Sequence, residues 1–296
     1  MREQLQEIDR ERGADASPSL RRRPIGAYFG HHKCGTRWIT EVVAQVCRES
    51  GLSNWSTLNA APFADGTVVT WAERERIDVV SFTNADAHFL PPVGEMRGFH
   101  VVRDPRDICV SAYYSHRYSH ATKRWPQLES MREMFDEVGP AEGLAYEIDF
   151  LAPVFASMQA WDITRPDILE LKFEDLVADD VDGLIRAFEF IGIGPGGRHP
   201  IDGDSRAHVL GQKVRRRLGL AVSRRRLSRE RFEAIIRANS FGAKAAGRAP
   251  GEVDVTSHYR SGTPGDWRTH FTDEHIARFK VAYPTLLAHL GYDEDW

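Results

Sequence analysis

The sequence has few cysteines and no long run of apolar residues. Its cysteines are Cys34, Cys47 and Cys109 in 296 residues, too few for a disulfide framework and without the spacing of a metal-binding cluster. A membrane-spanning helix needs about 18 or more apolar residues in succession, and the sequence contains no such run. The composition therefore excludes a disulfide-stapled domain and a helical membrane span, and it predicts a protein of a reducing compartment.

The chain also lacks a strong excess of charge of one sign. Its 39 Lys and Arg residues and 43 Asp and Glu residues leave a net charge of -4, whereas nucleic-acid-binding domains are typically strongly basic. Residues 1–23 are polar and lack the apolar core of a signal peptide. We therefore expect no nucleic-acid partner, a cytoplasmic location, a disordered tail over residues 1–23 and one domain over residues 24–296.

From Pro24 onward, short apolar runs alternate with amphipathic stretches. The runs predict strands at 25–29, 77–82, 98–102 and 168–173, and the amphipathic stretches predict helices at 36–48, 105–117, 141–161 and 174–192. This alternation predicts an α/β fold, a single three-layer domain with a mostly parallel central sheet. Ligands of such sheets bind beyond the carboxyl ends of the strands, so we expect the loops at 30–37, 83–88 and 103–107 to meet at one edge.

An arginine-rich segment, residues 206–231, interrupts the alternation. It contains the triplets RRR at 215–217 and at 224–226, and the mutual repulsion of such charges disfavours tight packing without a counter-anion. One interpretation is a mobile basic lid over an anionic ligand, or a docking surface for an acidic acceptor. The other interpretation is a solvated helical face.

The stretch FGHHKCGTRW, residues 29–38, lies between the first predicted strand and the first predicted helix. A glycine-containing loop in this position aims free backbone N–H groups and the positive end of the helix dipole at one point, which favours an anion there. Gly30 and Gly35 have the spacing of the nucleotide-binding P-loop, but Thr36 stands where that motif has its lysine. Lys33 supplies a positive charge from within the loop instead. The sequence therefore predicts a P-loop-like strand, loop and helix that bind an anion.

The third predicted strand ends in a cation, Arg103. A magnesium-dependent P-loop enzyme has a carboxylate at the end of such a strand. A guanidinium group can instead bind two phosphate oxygens at once. We therefore expect a second anion-binding group at this edge and a site without a metal ion.

The loop at 29–38 resembles the 5′-phosphosulfate loop Y-P-K-S-G-T-T-W of the sulfotransferases that use 3′-phosphoadenosine-5′-phosphosulfate (PAPS). Further segments resemble motifs of that family in the same order along the chain. VVRDPRDICVSAYY at 101–114 is similar to the 3′-phosphate motif V-x-R-N-P-x-D-x-x-V-S-x-Y-Y, and YRSGTPGDWRTHFT at 259–272 is similar to R-K-G-x-x-G-D-W-K-x-x-F-T. FEDL at 173–176 resembles Y-E-D-L, and NSF at 239–241 resembles T-S-F. The resemblance covers about residues 25–280.

The resemblance implies a set of cofactor-binding residues. They are Lys33, Cys34, Gly35, Thr36, Arg37, Trp38, Arg103, Ser111, Phe173, Ser240, Phe241, Arg260, Ser261 and Gly262. Arg103 and Ser111 would hold the 3′-phosphate, while Trp38 and Phe241 would stack on the adenine. Phe173 lacks the hydroxyl of the family's tyrosine, so only its packing role is expected here.

Two kinds of catalytic residue are expected. Lys33 would stabilise the charge that develops on the oxygen between the sulfate and the departing nucleotide. The acceptor hydroxyl needs a base, which cytosolic members of the family carry in a K-T-H-x-P stretch after the second strand. Here residues 82–86 read FTNAD, so Asp86 and the nearby His88 are the candidates, with a slight preference for the imidazole. The alternative is a helix-capping Asp86 and a surface His88. The reserve candidates are His31, His32 and His116.

Together, the motifs predict transfer of a sulfuryl group from PAPS to a hydroxyl acceptor, giving a sulfate ester and adenosine 3′,5′-bisphosphate (PAP). The acceptor stays open between small-molecule, glycan and lipid hydroxyl groups, and the oligomeric state stays open as well. One alternative is an ATP-dependent P-loop kinase of a small metabolite, which leaves Arg103 and Ser111 without a role. The other is a nucleotide-binding module without transfer activity, suggested by the missing histidine of the base motif.

Overall fold

The structure is a computed structural model that describes residues 24–196, 210–211, 214, 224–249, 251–293 and 295–296. The predicted tail at residues 1–23 and most of the arginine-rich segment lie outside the described residues. Within the described ranges, no helix is both long and apolar enough to cross a membrane.

The described residues contain a five-stranded sheet in the order β2-β3-β1-β4-β5, with every neighbouring pair parallel. The strands are β1 (Ile25–Gly30), β2 (Asn54–Thr57), β3 (Val79–Phe82), β4 (Met96–Val102) and β5 (Ile168–Lys172). The helices are α1 (Thr36–Ser50), α2 (Val68–Arg74), α3 (Pro105–Tyr114), α4 (Gln127–Phe150), α5 (Ala152–Gln159), α6 (Phe173–Ala178), α7 (Asp180–Phe190), α8 (Arg229–Ala238), α9 (Phe241–Lys244), α10 (Asp273–Ala282) and α11 (Leu286–His289). The predicted α/β class with a parallel central sheet is confirmed.

The side chains of β1 show why the sheet has helices on both faces. Successive residues of a strand point to opposite sides, and all of β1 after Ile25 is buried. Tyr28 packs with apolar residues of α1, α7 and α8, whereas Phe29 packs with residues of α2 and with Trp161. A strand that is buried on both faces reads as a continuous apolar run, which is why β1 was visible in the sequence.

A further apolar cluster lies beyond the end of β4. It begins at Val102 and joins residues of α3, α4, α5, α10 and α11. Trp267 is buried within this cluster, and the guanidinium of Arg106 lies 4.0 Å from the centre of its ring. This cluster anchors the C-terminal part of the chain against the loop that follows β4.

Several elements differ from the predictions, each for a local reason. Strand β2 was not predicted because its residues, NWST, are polar and only partly buried at the sheet edge. The helix predicted at 105–117 ends as an α-helix at Tyr114 and continues as a π-helical turn, Ser115–Ser119. The helix predicted at 141–161 is instead α4, broken at Gly139 (φ 81°) before Pro140, followed by α5. The single helix predicted at 174–192 is divided into α6 and α7 at Asp179.

The C-terminal end of the arginine-rich segment is packed against the domain. Leu227 is fully buried and Ser228 caps α8. Arg224 pairs with Asp78 at 2.6 Å. The remainder of the segment at 206–231 lies largely outside the described residues, so the lid stays a prediction.

A buried chain of polar side chains crosses the sheet just beneath the carboxyl ends of its strands. The Nε2 atoms of His31 and His100 lie 2.9 Å apart, and Nδ1 of His100 lies 2.6 Å from Oε2 of Glu170. Trp161 donates from Nε1 to the other oxygen of Glu170 at 3.0 Å. Burial raises the pKa of Glu170 to about 8 and lowers the pKa of His100 to about 3. The proton therefore resides on Glu170 at neutral pH, and the chain is held together as an uncharged network.

The raised pKa of Glu170 predicts a dependence of stability on pH. The folded protein holds a proton on Glu170 that the unfolded chain releases near the ordinary glutamate pKa of 4.5, so this contribution is complete below that value and is lost as pH rises toward about 8. Glu170→Gln keeps an acceptor for Trp161 and cannot ionise. Urea unfolding at several pH values should therefore show wild type losing stability relative to the variant across this window, by at most about 1.4 kcal/mol per pH unit. Parallel curves for the two proteins would show that Glu170 is ionised in the fold.

Candidate active site

A cavity of about 990 Å³ opens at the carboxyl edge of the sheet. As predicted, the loops after β1, β3 and β4 meet there, joined by the start of α6, by the π-helical turn and by residues 240–242 and 257–262. The implied cofactor-binding residues that line it are Lys33, Gly35, Thr36, Arg37, Trp38, Arg103, Ser111, Phe173, Ser240, Phe241, Arg260, Ser261 and Gly262. Residues from distant parts of the chain are thus brought to one place.

The anion loop has a left-handed backbone at two positions, which turns the chain sharply from β1 into α1. Lys33 has φ 65° and Gly35 has φ 72°. Gly35 is the N-cap of α1 and provides no side-chain cap, and a Cβ at this position would lie 2.7 Å from the ring of Phe173. Because no side chain caps this helix, the N–H groups of its first turn are available to an anion in the cavity.

Cys34 is the implied cofactor-binding residue that does not line the cavity. It is fully buried, its N–H group donates to the carbonyl of His31 at 3.1 Å, and its Sγ lies 3.8 Å from the carbonyl oxygen of His32. Burial raises the pKa of its thiol to about 12. Cys34 therefore packs the turn as a neutral side chain.

Lys33 and Arg103 are close neighbours in the cavity. Nη1 of Arg103 donates to the carbonyl of Lys33 at 3.3 Å, and Nη2 lies 3.9 Å from a carboxylate oxygen of Asp107. Among the described residues, the buried Nε of Arg103 has no hydrogen-bond partner. Burial and the charges of Arg103 and Arg260 lower the pKa of Lys33 to about 7, against an opposing effect of Glu147. A buried guanidinium with an unsatisfied donor beside a second cation is the pattern expected of an anion site.

The FEDL segment positions Arg103 through two contacts. The ring of Phe173 lies 4.9 Å from the Arg103 guanidinium. Glu174 accepts a hydrogen bond from the N–H group of Asp104 at 3.0 Å, and the hydroxyl of Tyr292 donates to its second oxygen at 2.7 Å. The matched segment therefore supports the turn that carries the arginine, a role of Glu174 that the sequence did not reveal.

Asp107 ties the segment at 259–272 to the same turn. Its carboxylate accepts from the N–H groups of Gly265 at 2.7 Å and Trp267 at 2.9 Å. Arg260, held by an ion pair with Asp266, has its guanidinium 4.5 Å from the centre of the Tyr114 ring. The position of Arg260 in the cavity therefore depends on the helix that begins after Arg103.

The aromatic residues expected to hold an adenine line the same cavity. Trp38 packs edge-on against Phe173 at 6.3 Å between ring centres, and Nε1 of Trp38 has no hydrogen-bond partner among the described residues. Phe241 lies against Gly262, where φ is 65° and a Cβ would come within 2.7 Å of its ring. The glycine is thus required for the position of this aromatic ring.

Asp86 and His88, the preferred candidates for the base, are not brought into the cavity. Asp86 caps a short 3-10 helix, Ala87–Phe89, by accepting from the N–H group of His88 at 2.9 Å. His88 is exposed and contacts Phe89. The residues of the loop after β3 that do line the cavity are Thr83 and Asn84. The roles predicted for Asp86 and His88 therefore find no support in the geometry.

Other histidines do line the cavity, namely His32, His120 and His258. Of these, His32 was a reserve candidate, whereas His120 and His258 were missed. Burial is the main cause that lowers the pKa of all three, to about 4 for His258. The only sequence signal for them was the double histidine in the anion loop, because His120 and His258 lie outside every matched motif position.

Comparison with known proteins agrees with this geometry. A sequence model of the family described as "Sulfotransferase domain" matches residues 29–291. A 3-alpha-hydroxysteroid sulfotransferase of Cavia porcellus is 20% identical over 279 residues, covering 88% of this chain and 82% of that protein. Cytosolic sulfotransferase 17 of Arabidopsis thaliana is 26% identical over 182 residues, covering 60% of this chain and 46% of that protein.

Among solved structures, mouse sulfotransferase SULT7A1 complexed with PAP has a similar fold. Its TM-score is 0.52 at 16% sequence identity, over 90% of this chain and 85% of that one. This likeness supports the fold, and the family match covers the anion loop, Arg103 and the segment at 259–272. The chain belongs to the sulfotransferase family, as its motifs predicted.

Proposed function

We propose that the protein transfers the sulfuryl group of PAPS to the hydroxyl group of an acceptor and releases PAP. The observation that carries the proposal is the convergence of Lys33, Arg103 and the uncapped start of α1 in one cavity. The family match supports the reaction, and the similar mouse enzyme was solved with PAP. No observation favours the kinase alternative, which has no role for the cation at the end of β4.

The donor is proposed to lie along the cavity with its two charged ends apart. The residues Lys33, Gly35 and Thr36 suit the 5′-phosphosulfate group because backbone donors and a mobile cation meet there. Arg103, with its unpaired Nε, and Ser111 suit the 3′-phosphate. Adenine would stack between the aromatic walls described above, as those walls lie in the same cavity.

Sulfuryl transfer resembles phosphoryl transfer in having a loose, in-line transition state, so positioning and charge stabilisation matter most. Lys33 would meet the negative charge that grows on the oxygen leaving with PAP. Its lowered pKa reflects burial beside Arg103, and the arriving anion would return the proton to it. In the described part of the chain, no group of three or more His, Cys, Asp or Glu side chains could hold a metal ion.

The proposed acceptor is a small molecule, or a glycan or lipid that offers one hydroxyl group to the cavity. Tyr114 and Trp125 line the cavity and provide apolar walls. A volume of about 990 Å³ is at the upper end for a small-molecule site, which suits a nucleotide and an acceptor together. A cytoplasmic location is also proposed, because all three cysteines are free and buried.

Nucleotide preference tests the donor. We expect calorimetry to detect binding of PAP without magnesium, with an affinity that magnesium leaves unchanged. ATP should bind more weakly, because it lacks the 3′-phosphate that Arg103 would hold. Preferential, magnesium-dependent binding of ATP would instead support the kinase. If the protein binds PAP but transfers no label from PAPS to any acceptor pool or to water, the result would support the alternative of a nucleotide-binding module without transfer activity.

Substitution of the two cations should separate binding from catalysis. Arg103→Ala should weaken PAP binding roughly tenfold to a hundredfold, because it removes a charge-assisted contact of about 1.5–3 kcal/mol. Lys33→Ala should also lower the turnover of bound PAPS, since its partner charge develops during transfer. Arg74→Ala, on the surface helix α2, is the matched control and should bind PAP as wild type does. Unchanged turnover of Lys33→Ala at saturating PAPS would contradict a role for Lys33 in catalysis as well as in binding.

The pKa of Lys33 predicts how binding depends on pH. Arg103, Arg260 and Glu147 face this lysine, and its pKa of about 7 in the free protein means that it loses its charge above neutrality. The phosphates of PAP are already ionised there, since their second pKa lies at about 6. The dissociation constant for PAP should therefore rise by up to about tenfold per pH unit above pH 7. Lys33→Arg keeps its charge and should bind PAP with little dependence on pH; an equal dependence in both proteins would exclude Lys33 as the cause.

A further inference from the structure

A second chain of hydrogen-bonded side chains begins inside the cavity. Nε2 of His32 lies 3.1 Å from Nε2 of His116, and Nδ1 of His116 lies 2.7 Å from Oε1 of Glu147. His116 and Glu147 are fully buried, whereas His32 lines the cavity from within the anion loop. The chain therefore connects the proposed sulfuryl site to a buried carboxylate.

We propose that His32 is the general base that takes the proton of the acceptor hydroxyl, and that His116 and Glu147 are positioning residues that set its tautomer and stabilise its charge. This inference rests on the proposed function, because it assigns a residue to that reaction. It replaces Asp86 and His88, which lie outside the cavity.

The hydrogen bonds determine which nitrogen of His32 is free. In the proposed arrangement His116 is neutral, donates from Nδ1 to the carboxylate of Glu147 and has its lone pair on Nε2. His32 must then donate from Nε2 to that lone pair, which leaves its own Nδ1 unprotonated. Within the described residues, the side-chain hydrogen bond of the His32 ring is the one between its Nε2 and His116. The lone pair able to accept a proton is thus on Nδ1, in a residue that lines the cavity.

In the proposed reaction this arrangement gives both the proton and the leaving group a destination. The acceptor oxygen forms a bond to sulfur while its proton moves to Nδ1 of His32, and the bond from sulfur to the bridging oxygen breaks with its electron pair leaving on the 5′-phosphate of PAP. The new imidazolium of His32 can pass the proton on Nε2 to His116. The positive charge then lies next to Glu147, whose second oxygen has no hydrogen-bond partner among the described residues. Solvent removes the proton when the product leaves.

The state of His32 at neutral pH suits this role. Burial is the main cause that lowers its pKa well below the ordinary value, followed by the neighbouring Lys33, His116, His120 and His258. It is therefore unprotonated in the free protein at pH 7. A base must be unprotonated to work, so protonation of His32 should lower activity only at pH values below the ordinary imidazole pKa of about 6.5.

The segment that carries His116 is held firmly. The N–H group of His120 donates to the carbonyl of Ser115 at 2.7 Å, which closes the π-helical turn. Arg132 donates to the carbonyl of His116 at 2.8 Å and to that of His120 at 2.6 Å. Such π-helical turns occur frequently at functional sites, and this one presents a side chain from an otherwise regular helix to the anion loop.

The buried chain of His31, His100 and Glu170 is a similar hydrogen-bonded network, but it has no access to the cavity. None of its three members lines the cavity, and Glu170 carries the proton. That chain can hold three strands together but cannot exchange a proton with an acceptor. Of these two chains, the one from His32 reaches the cavity.

The test compares His32→Gln with wild type. The glutamine amide can still donate to His116 but offers no basic nitrogen. We expect PAP affinity to stay within about threefold of wild type, while transfer of label from PAPS, measured with acceptor pools and with water, falls about 10²–10⁴-fold. Wild-type turnover in His32→Gln overturns the proposal, as does a loss of turnover confined to His88→Gln. Absence of turnover in wild type itself, despite PAP binding, defeats the proposed function instead.

Two further measurements separate a base from a structural residue. In wild type, nitrogen NMR of His32 should show a proton on Nε2 and none on Nδ1, and the opposite tautomer would overturn the assignment whatever the variants do. Glu147→Gln keeps an acceptor for His116 but removes the charge. It should lower turnover at the pH optimum about tenfold to a hundredfold and shift the acid limb of the rate profile to lower pH. An unchanged profile would assign Glu147 a purely structural role.

Discussion

The site depends on two cations held side by side with too little negative charge around them. Lys33 and Arg103 come from the ends of β1 and β4, which are neighbours in the sheet. Because both residues follow paired strands, their backbones are held side by side, and burial costs a cation its hydration. The low pKa of Lys33 and the unpaired Nε of Arg103 are two consequences of this constraint. A ligand with two negative charges would neutralise both cations, whereas a neutral ligand would not.

The carboxylates near this pair are used for other tasks. Asp107 is engaged by the backbone of Gly265 and Trp267, and burial raises its pKa. Glu147 is hydrogen-bonded to His116. Neither carboxylate therefore fully neutralises Lys33 and Arg103, and the site keeps an excess of positive charge. Burial, followed by the positive charge of Lys33, lowers the pKa of the neighbouring His32 and keeps it uncharged.

The parts that could be predicted from the sequence are those encoded locally. An apolar run revealed β1, the glycine and lysine spacing revealed the anion loop, and Arg103 was found because it directly follows a strand. What could not be predicted depends on contacts between distant residues. His32 and His116 are 84 positions apart, and neither segment alone contains a pattern that predicts their contact. His88 had the right residue type near the right strand, but the capping turn at Asp86 leaves it exposed.

The break in α4 has a consequence for how such an enzyme can change. Arg132 precedes Gly139 and Glu147 follows it, so the two halves of one helix hold the π-helical turn from different directions. Trp125 instead lies just after a short 3-10 turn, Thr122–Arg124, where it lines the cavity with its ring centre 5.0 Å from that of His116. In the proposed reaction the buried framework holds the reacting groups, while part of the wall proposed to meet the acceptor belongs to a short connection. Descendants of this chain can therefore acquire new acceptors by altering that connection while the chemistry passes on intact.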